Sequence, residues 1–188
     1  MCDFTSQDFH FVDERIRGET RALYDTLILS VFPLMVVMAG ISDFFTLKIP
    51  NWLNAVIAVS VVPFVILAGM PLEIFAWHII AGLVTFVIGF ILFSINIIGG
   101  GDAKMLAACA VWVGWDVLME FAVVTVFAGA VLVIAIKIWV FFANRKDIKG
   151  MDWAKNFLSK KPQLPYGIAI AAGGVIVFPA TWWIQQIL

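Results

Sequence analysis

Long apolar runs separated by short turns dominate the chain, and the longest extends from Ala103 to Ala143. At about 1.5 Å of rise per residue, a helix of these 41 residues would measure about 62 Å, twice the hydrocarbon thickness of a bilayer. We therefore expect this run to cross a membrane twice. The expected turn lies at Gly114, Trp115 and Asp116.

The composition agrees with a membrane protein. Hydrophobic residues make up 63% of the 188 residues, charged residues only 13%, and the mean hydropathy is +1.02. A soluble domain is about half apolar and about a quarter charged. Too few polar side chains are present to cover the apolar surface, so we expect membrane lipid to cover it. The net charge of −1 does not indicate a nucleic acid partner, and we expect none.

We predict an all-α membrane protein with a bundle of about six transmembrane helices over residues 23–188. The polar tail 1–22 has five acidic residues and lacks the apolar core of a cleavable signal peptide, so the first span is the expected insertion signal. Residues 144–163 are either a solvated basic loop or an amphipathic interfacial helix. The predicted spans are Leu23–Phe45, Trp52–Ala68, Leu72–Ile98, the two halves of the long run, and Pro165 to the C-terminus.

The basic residues indicate the orientation. With six spans, the first, third and fifth loops carry eight lysines and arginines, whereas the opposite face carries three. Basic loops remain in the cytoplasm, so these loops are predicted to be cytoplasmic. If the long run were a single span, this orientation would reverse.

Two aspartates, Asp43 and Asp102, interrupt or border the spans and are the principal candidate functional residues. Ionisable groups at membrane depth are costly and are often functional. The alternative is that each one only marks a membrane boundary. Two spans separate them, so both are expected on the same face.

The neighbours of these aspartates favour a functional role. The backbone beside Asp102 carries no side chains at Gly99, Gly100 and Gly101. An extended peptide can therefore approach this backbone and form hydrogen bonds with its N–H and C=O groups. Asp102 is expected near a helix N-terminus, which favours ionisation, and Asp43 near a helix C-terminus, which does not. Two carboxylates held together share one proton and supply a general base and a general acid. We expect no metal or cofactor.

Three motifs resemble those of the type IV prepilin peptidases, a branch of the GxGD aspartic proteases. G-G-G-D-A-K at Gly99–Lys104 is similar to their G-x-G-D-x-K motif, and S-D-F-F-T-L-K-I-P-N at Ser42–Asn51 is similar to their other signature. L-P-Y-G-I-A-I-A-A-G-G at Leu164–Gly174 resembles the last helix of the compact members, the peptidases of tight-adherence (Flp) pili.

The resemblance implies that Asp43 and Asp102 form a catalytic dyad. The substrate would be a prepilin with a short, positively charged leader followed by a hydrophobic helix, cleaved at the cytoplasmic face of a bacterial inner membrane. Larger members carry a cysteine tetrad in a cytoplasmic domain and also methylate the new pilin N-terminus. The loop from Asp43 to Asn51 is short and has no cysteine, so N-methyltransferase activity is not expected.

Other residues near the motifs have ordinary structural interpretations beside functional ones. Lys104 is expected to snorkel or face lipid more than to tune the dyad, and Lys48 either neutralises lipid phosphate or holds Asp43 near the surface. Pro50 and Asn51 are expected to end one span and cap the next, with substrate contact by Asn51 as the less favoured role.

The last span begins with Pro165, Tyr166 and Gly167. Proline is routine in a first helical turn, and Tyr166 is either an interfacial anchor or a neighbour of the dyad. His78 is interpreted as packed or interfacial, and Trp182 and Trp183 as part of an interfacial belt.

Two rival functions remain. One is a small proton-coupled transporter that uses the same aspartates as a proton relay. The other is a structural subunit of a pilus or secretion machine. A transporter would more naturally place its ionisable groups near the midplane, whereas these two acids are predicted at one face.

Overall fold

The computed structural model describes residues 6–142 and 164–187, with side chains for 21–139, 142 and 164–187. All regular structure in these ranges is helical, which confirms the all-α prediction. The helices are α1 (Ser6–Thr46), α2 (Asn51–Val59), α3 (Val61–Ala68), α4 (Leu72–Ser94), α5 (Gly100–Val113), α6 (Leu118–Phe142), α7 (Tyr166–Val177) and α8 (Trp182–Gln185), with a 3₁₀ turn at Phe178–Ala180 between α7 and α8.

Five segments of the described chain are long and apolar enough to cross a membrane. They are Arg21–Thr46, Asn51–Ala68, Leu72–Ser94, Leu118–Trp139 and Tyr166–Gln185. The sixth helical segment is α5, which has 14 residues and is therefore about 21 Å long. The chain is thus a multi-pass membrane protein, and the long apolar run divides as predicted, with Gly114 at φ +82 in the turn.

Several predicted boundaries differ in detail. The second span bends at Ser60, because Pro63 has no N–H to continue the hydrogen-bond ladder of α2. The third span ends as a helix at Ser94, not Ile98, and Asn96 follows at φ +60. The last span is interrupted after Val177 by the 3₁₀ turn. Helix α1 begins at Ser6, within the predicted tail, and the predicted basic loop 144–163 lies outside the described residues.

Helix α7 occupies the centre of the bundle. Its segment is 61% buried, whereas the other four spans are 17–33% buried. Small residues allow this because backbones can approach where side chains are short. A Cβ on Gly40 of α1 would lie 3.2 Å from the Gly167 carbonyl oxygen, and a Cβ on Gly173 would collide with Thr125 of α6. Helices α1 and α6 therefore pack on α7, each antiparallel to it.

Helices α4 and α5 form a second close pair. A Cβ on Gly89 would lie 3.2 Å from the Cα of Ala103, and a Cβ on Gly82 would collide with Val111. These contacts order the two helices antiparallel. Because α5 also packs on α2 and α7, it connects the α4 hairpin to the central helix.

An aromatic core fixes the end of the bundle opposite the two aspartates. Trp112 is fully buried, and its ring centroid lies 5.2 Å from that of Phe32 and 5.3 Å from that of Phe64. Its indole N–H donates to the Ile57 carbonyl at 2.7 Å, and the indole N–H of Trp183 donates to the Trp112 carbonyl at 2.8 Å. The interfacial interpretation of Trp183 is therefore wrong, because this side chain is fully buried.

His78 also packs into this end of the molecule. It is 3% exposed, its Nδ1 lies 2.8 Å from the Val111 carbonyl oxygen, and its ring lies edge-on to Trp183. These contacts agree with the packed interpretation of this histidine.

Candidate active site

Asp43 lies three residues before the end of α1 and is 4% exposed. Its Oδ2 accepts a 2.7 Å hydrogen bond from the backbone N–H of Gly167, the second residue of α7. The first backbone N–H groups of a helix have no partner within the helix and carry partial positive charge, so they stabilise an anion. The N-terminus of α7 thus opposes the unfavourable effect expected from the C-terminal end of α1.

Gly167 has to be glycine for this contact to form. A Cβ at this position would lie 2.7 Å from the Cβ of Asp43 and 2.9 Å from its Oδ2. Real Cβ atoms do not approach other heavy atoms so closely. The glycine in the Pro165–Tyr166–Gly167 sequence therefore lets the carboxylate reach the helix terminus.

Asp102 is the third residue of α5 and is 8% exposed. Its Oδ2 accepts a 3.2 Å hydrogen bond from the backbone N–H of Gly99, the N-cap residue. A Cβ on Gly99 would lie 2.8 Å from this same oxygen, whereas a Cβ on Gly101 would make an ordinary 3.5 Å contact with Ile49. Of the three glycines, Gly99 is the one whose missing side chain leaves room for the carboxylate.

The structure brings these two aspartates into one buried site. The two carboxyl groups are close enough to interact electrostatically. Gly167 at the N-terminus of α7 binds Asp43, and its neighbour Tyr166 lines the same cavity as Asp102. Two ionised carboxylates close together in a buried site repel each other, so ionising both at once is costly.

The segment between α1 and α2 turns tightly beside the site. Leu47 has a φ of +53, and the hydroxyl groups of Ser42 and Thr46 both donate to the Lys48 carbonyl, at 3.1 and 3.0 Å. The Lys48 side chain itself is exposed. Pro50, with an extended backbone, is the N-cap residue of α2.

Asn51 and Asn54 connect this segment to α5. The Lys104 ammonium group donates to Asn51 Oδ1 at 2.8 Å, and the Asn54 amide donates to the Gly101 carbonyl at 3.2 Å. The expected capping role of Asn51 is wrong, since no side-chain hydrogen bond caps α2. Lys104 is exposed, as a snorkelling lysine would be, but it also bridges the two motifs.

Sequence reasoning missed Asn54. This side chain is 5% exposed, and its Oδ1 has no hydrogen-bond partner among the described residues. The sequence did contain a signal for it, since Asn54 is a polar residue one helical turn after Asn51 within an otherwise apolar span.

Pro165 is the N-cap residue of α7, so it precedes the first turn. The half-buried Tyr166 ring lies near Gly129 of α6, where a Cβ would be 3.7 Å from the ring. Tyr166 also lines the cavity that Asp102 lines, and its neighbour Gly167 binds Asp43, so its role as an anchor or as a neighbour of the site stays a prediction.

A cavity of about 910 Å³ opens beside Asp102 and Tyr166. Residues from α4, α5, α6 and α7 line it, and Asp102 is the charged residue among the described lining. In the described part of the chain, no three His, Cys, Asp or Glu side chains are grouped as metal ligands.

The fold and site define a multi-pass membrane protein in which two acid groups are buried together at one end of a helical bundle. The sequence profile of the type IV leader peptidase family matches residues 21–134, a range that includes both aspartates. The chain belongs to this family, whose members are proteases that act on prepilins. No curated protein and no solved structure matches the chain.

Proposed function

We propose that the chain is an aspartic endopeptidase in which Asp43 and Asp102 are the catalytic residues. The observation that carries this proposal is that two carboxylates are buried in the same part of the bundle, each bound by a backbone N–H at the start of a helix. Family membership gives the reaction, removal of the leader from a type IV prepilin, and the acid pair supplies a way to catalyse it.

The proposed mechanism uses one proton shared by the pair. The ionised carboxylate removes a proton from a water molecule, whose oxygen attacks the carbonyl carbon of the scissile peptide bond. The protonated carboxyl group donates its proton to the carbonyl oxygen. The tetrahedral intermediate then collapses and the C–N bond breaks. The departing amine takes the proton that came from water, and a hydroxyl of the intermediate returns its proton to the carboxylate that acted as the acid. The dyad returns to its singly protonated state.

The backbone contacts support both roles. The N–H groups of Gly167 and Gly99 hold one oxygen of each carboxylate, which fixes the orientation of the other oxygen. Preorganised groups of this kind lower the barrier because they need no rearrangement during the reaction.

We further propose that the site faces the cytoplasm of a bacterial inner membrane. The supporting observation is the excess of basic residues in the loops on the side of the aspartates. On the resemblance of the last-helix motif, the substrate would be a small Flp-like prepilin with a positively charged leader.

N-methyltransferase activity is not part of the proposal. Residues 47–50 alone separate α1 from α2, and they contain no cysteine. The larger members, which also methylate the pilin, carry a cysteine-bearing domain between their early spans.

Co-expression with candidate prepilins tests the function. Wild-type chain is expected to remove the leader, and Asp43→Asn and Asp102→Asn are each expected to abolish removal while still accumulating in the membrane. Leader removal by both variants would refute the assignment of Asp43 and Asp102 as the catalytic residues. If the aspartate variants process prepilin normally but are defective in proton-coupled transport, the transporter hypothesis is favoured instead.

A further inference from the structure

The cavity beside Asp102 is a groove between α4 and α6. Helix α4 packs on α5 and helix α6 packs on α7, and the described helices leave a space between these two pairs. Helices α5 and α7 form the floor of the groove through Asp102, Leu106, Tyr166 and Ile170. The walls come from α4 and α6.

This groove extends along the membrane-spanning part of the bundle. Asp102 and Ile98 line it at the first end of α5, and Trp115 and Leu118 line it just beyond the other end. The 14 residues of α5 rise about 21 Å over this distance. The groove therefore covers most of the roughly 30 Å hydrocarbon thickness of a bilayer.

The lining suits an apolar helix. Most lining side chains are aliphatic or aromatic, and several are open to the outside, such as Val126 at 71% and Met119 at 74% exposed. A segment entering from lipid must satisfy its own backbone hydrogen bonds, which an α-helix does.

We propose that this groove binds the hydrophobic helix of the substrate and thereby presents the peptide bond at its end to the aspartates. The inference rests on the proposed function and deepens it. Its basis is continuity, since the residue that begins the groove, Asp102, is one of the two acids of the site. A chain that leaves the groove at this end reaches Asp102 directly.

Tryptophan substitution tests the groove with a matched control on the same helix. Ala130 and Ala135 of α6 are both exposed alanines, but only Ala130 lines the groove. Ala130→Trp is expected to slow leader removal at least about tenfold by filling the groove, while Ala135→Trp retains the wild-type rate. Equal rates for the two variants would overturn the proposal.

Site-specific crosslinking tests occupancy without depending on catalysis. A photoreactive amino acid is placed at Val126, which lines the groove, or at Val131, which does not; both side chains are well exposed, at 71% and 65%. Crosslinks to the hydrophobic segment of the prepilin or pilin are expected from position 126 and not from position 131. Equal crosslinking from both, or crosslinks from position 126 to lipid alone, would contradict the inference.

The two proposals fail in distinguishable ways. The leader-free product keeps the hydrophobic helix, so crosslinks from position 126 report on the groove even if Asp43→Asn and Asp102→Asn remain active. Conversely, if the aspartate variants are inactive but position 126 gives no such crosslinks, the catalytic role of the two aspartates is supported and binding of the substrate helix in the groove is refuted.

Discussion

The backbone N–H of Gly167 donates a 2.7 Å hydrogen bond to the carboxylate of Asp43, across 124 residues of sequence. This contact joins the end of α1 to the start of α7 at the point where Asp102 also lies nearby. The central helix thus takes part in the site through its backbone. The missing side chain of Gly167 leaves the space that the Asp43 side chain needs.

Gly167→Ala is expected to reduce leader removal sharply. The added methyl group would lie only 2.7–3.0 Å from three atoms of the Asp43 side chain. It would therefore push the Asp43 carboxylate away from the helix terminus. A displacement of about 1 Å at a catalytic group can cost about a hundredfold in rate. The measurement is the initial rate of prepilin processing by purified protein in lipid nanodiscs.

Gly101→Ala serves as the comparison for that prediction. The methyl group would meet Ile49 at an ordinary 3.5 Å, so this variant is expected to lose less activity than Gly167→Ala. The reverse order of rates would show that the close approach of Gly167 to Asp43 does not control the reaction.

Lys104 and Asn51 are expected to act as one unit. Their 2.8 Å hydrogen bond holds the turn before α2 against α5, and a single such bond contributes about 0.5–1.5 kcal/mol. Lys104→Met and Asn51→Ala should each slow leader removal by about two- to tenfold, and the double variant should be no slower than the worse single one. Additive losses would mean that the two side chains act separately.

Trp112→Phe is expected to destabilise the fold without changing the site directly. The substitution removes the indole N–H that donates to the Ile57 carbonyl in the bent second span. The predicted loss is about 0.5–1.5 kcal/mol in the free energy of unfolding, since one hydrogen bond is lost while the Ser60 hydroxyl still donates to the same carbonyl. Thermal unfolding in detergent checks this, and an unchanged midpoint would refute the assigned role of the indole.

Leader removal is expected to continue in excess EDTA. In the proposed mechanism the carboxylate pair activates water directly, so no metal ion takes part in the reaction. The measurement is processing by purified protein after dialysis against the chelator. A loss of activity that added metal ions restore would contradict the acid-pair mechanism.

The helical architecture was predictable because membrane spans must satisfy their own backbone hydrogen bonds and be long enough to cross the bilayer. Glycine and proline then mark the breaks, as Gly114 does between α5 and α6. The bend at Ser60 was not predicted, since Pro63 lies inside a run whose composition is uniformly apolar.

The site could be predicted only in part. Asp43 and Asp102 stand out as costly charges in apolar sequence, but the partner of Asp43 is a backbone N–H, which no side-chain pattern reveals. Likewise, the Lys104–Asn51 bridge depends on how α2 and α5 pack, and helix periodicity does not determine which helices become neighbours. Trp183 was misplaced because tryptophan is common both at membrane interfaces and in cores.

The joint action of Asp43 and Asp102 is tested most directly by the rates of four proteins: wild type, Asp43→Asn, Asp102→Asn and the double variant, each with the same prepilin in nanodiscs. Groups that act as a unit give non-additive losses. We expect each single substitution to reduce the rate to background and the double substitution to reduce it no further. A single variant that keeps the wild-type rate, or losses that multiply in the double variant, would contradict the shared-proton mechanism.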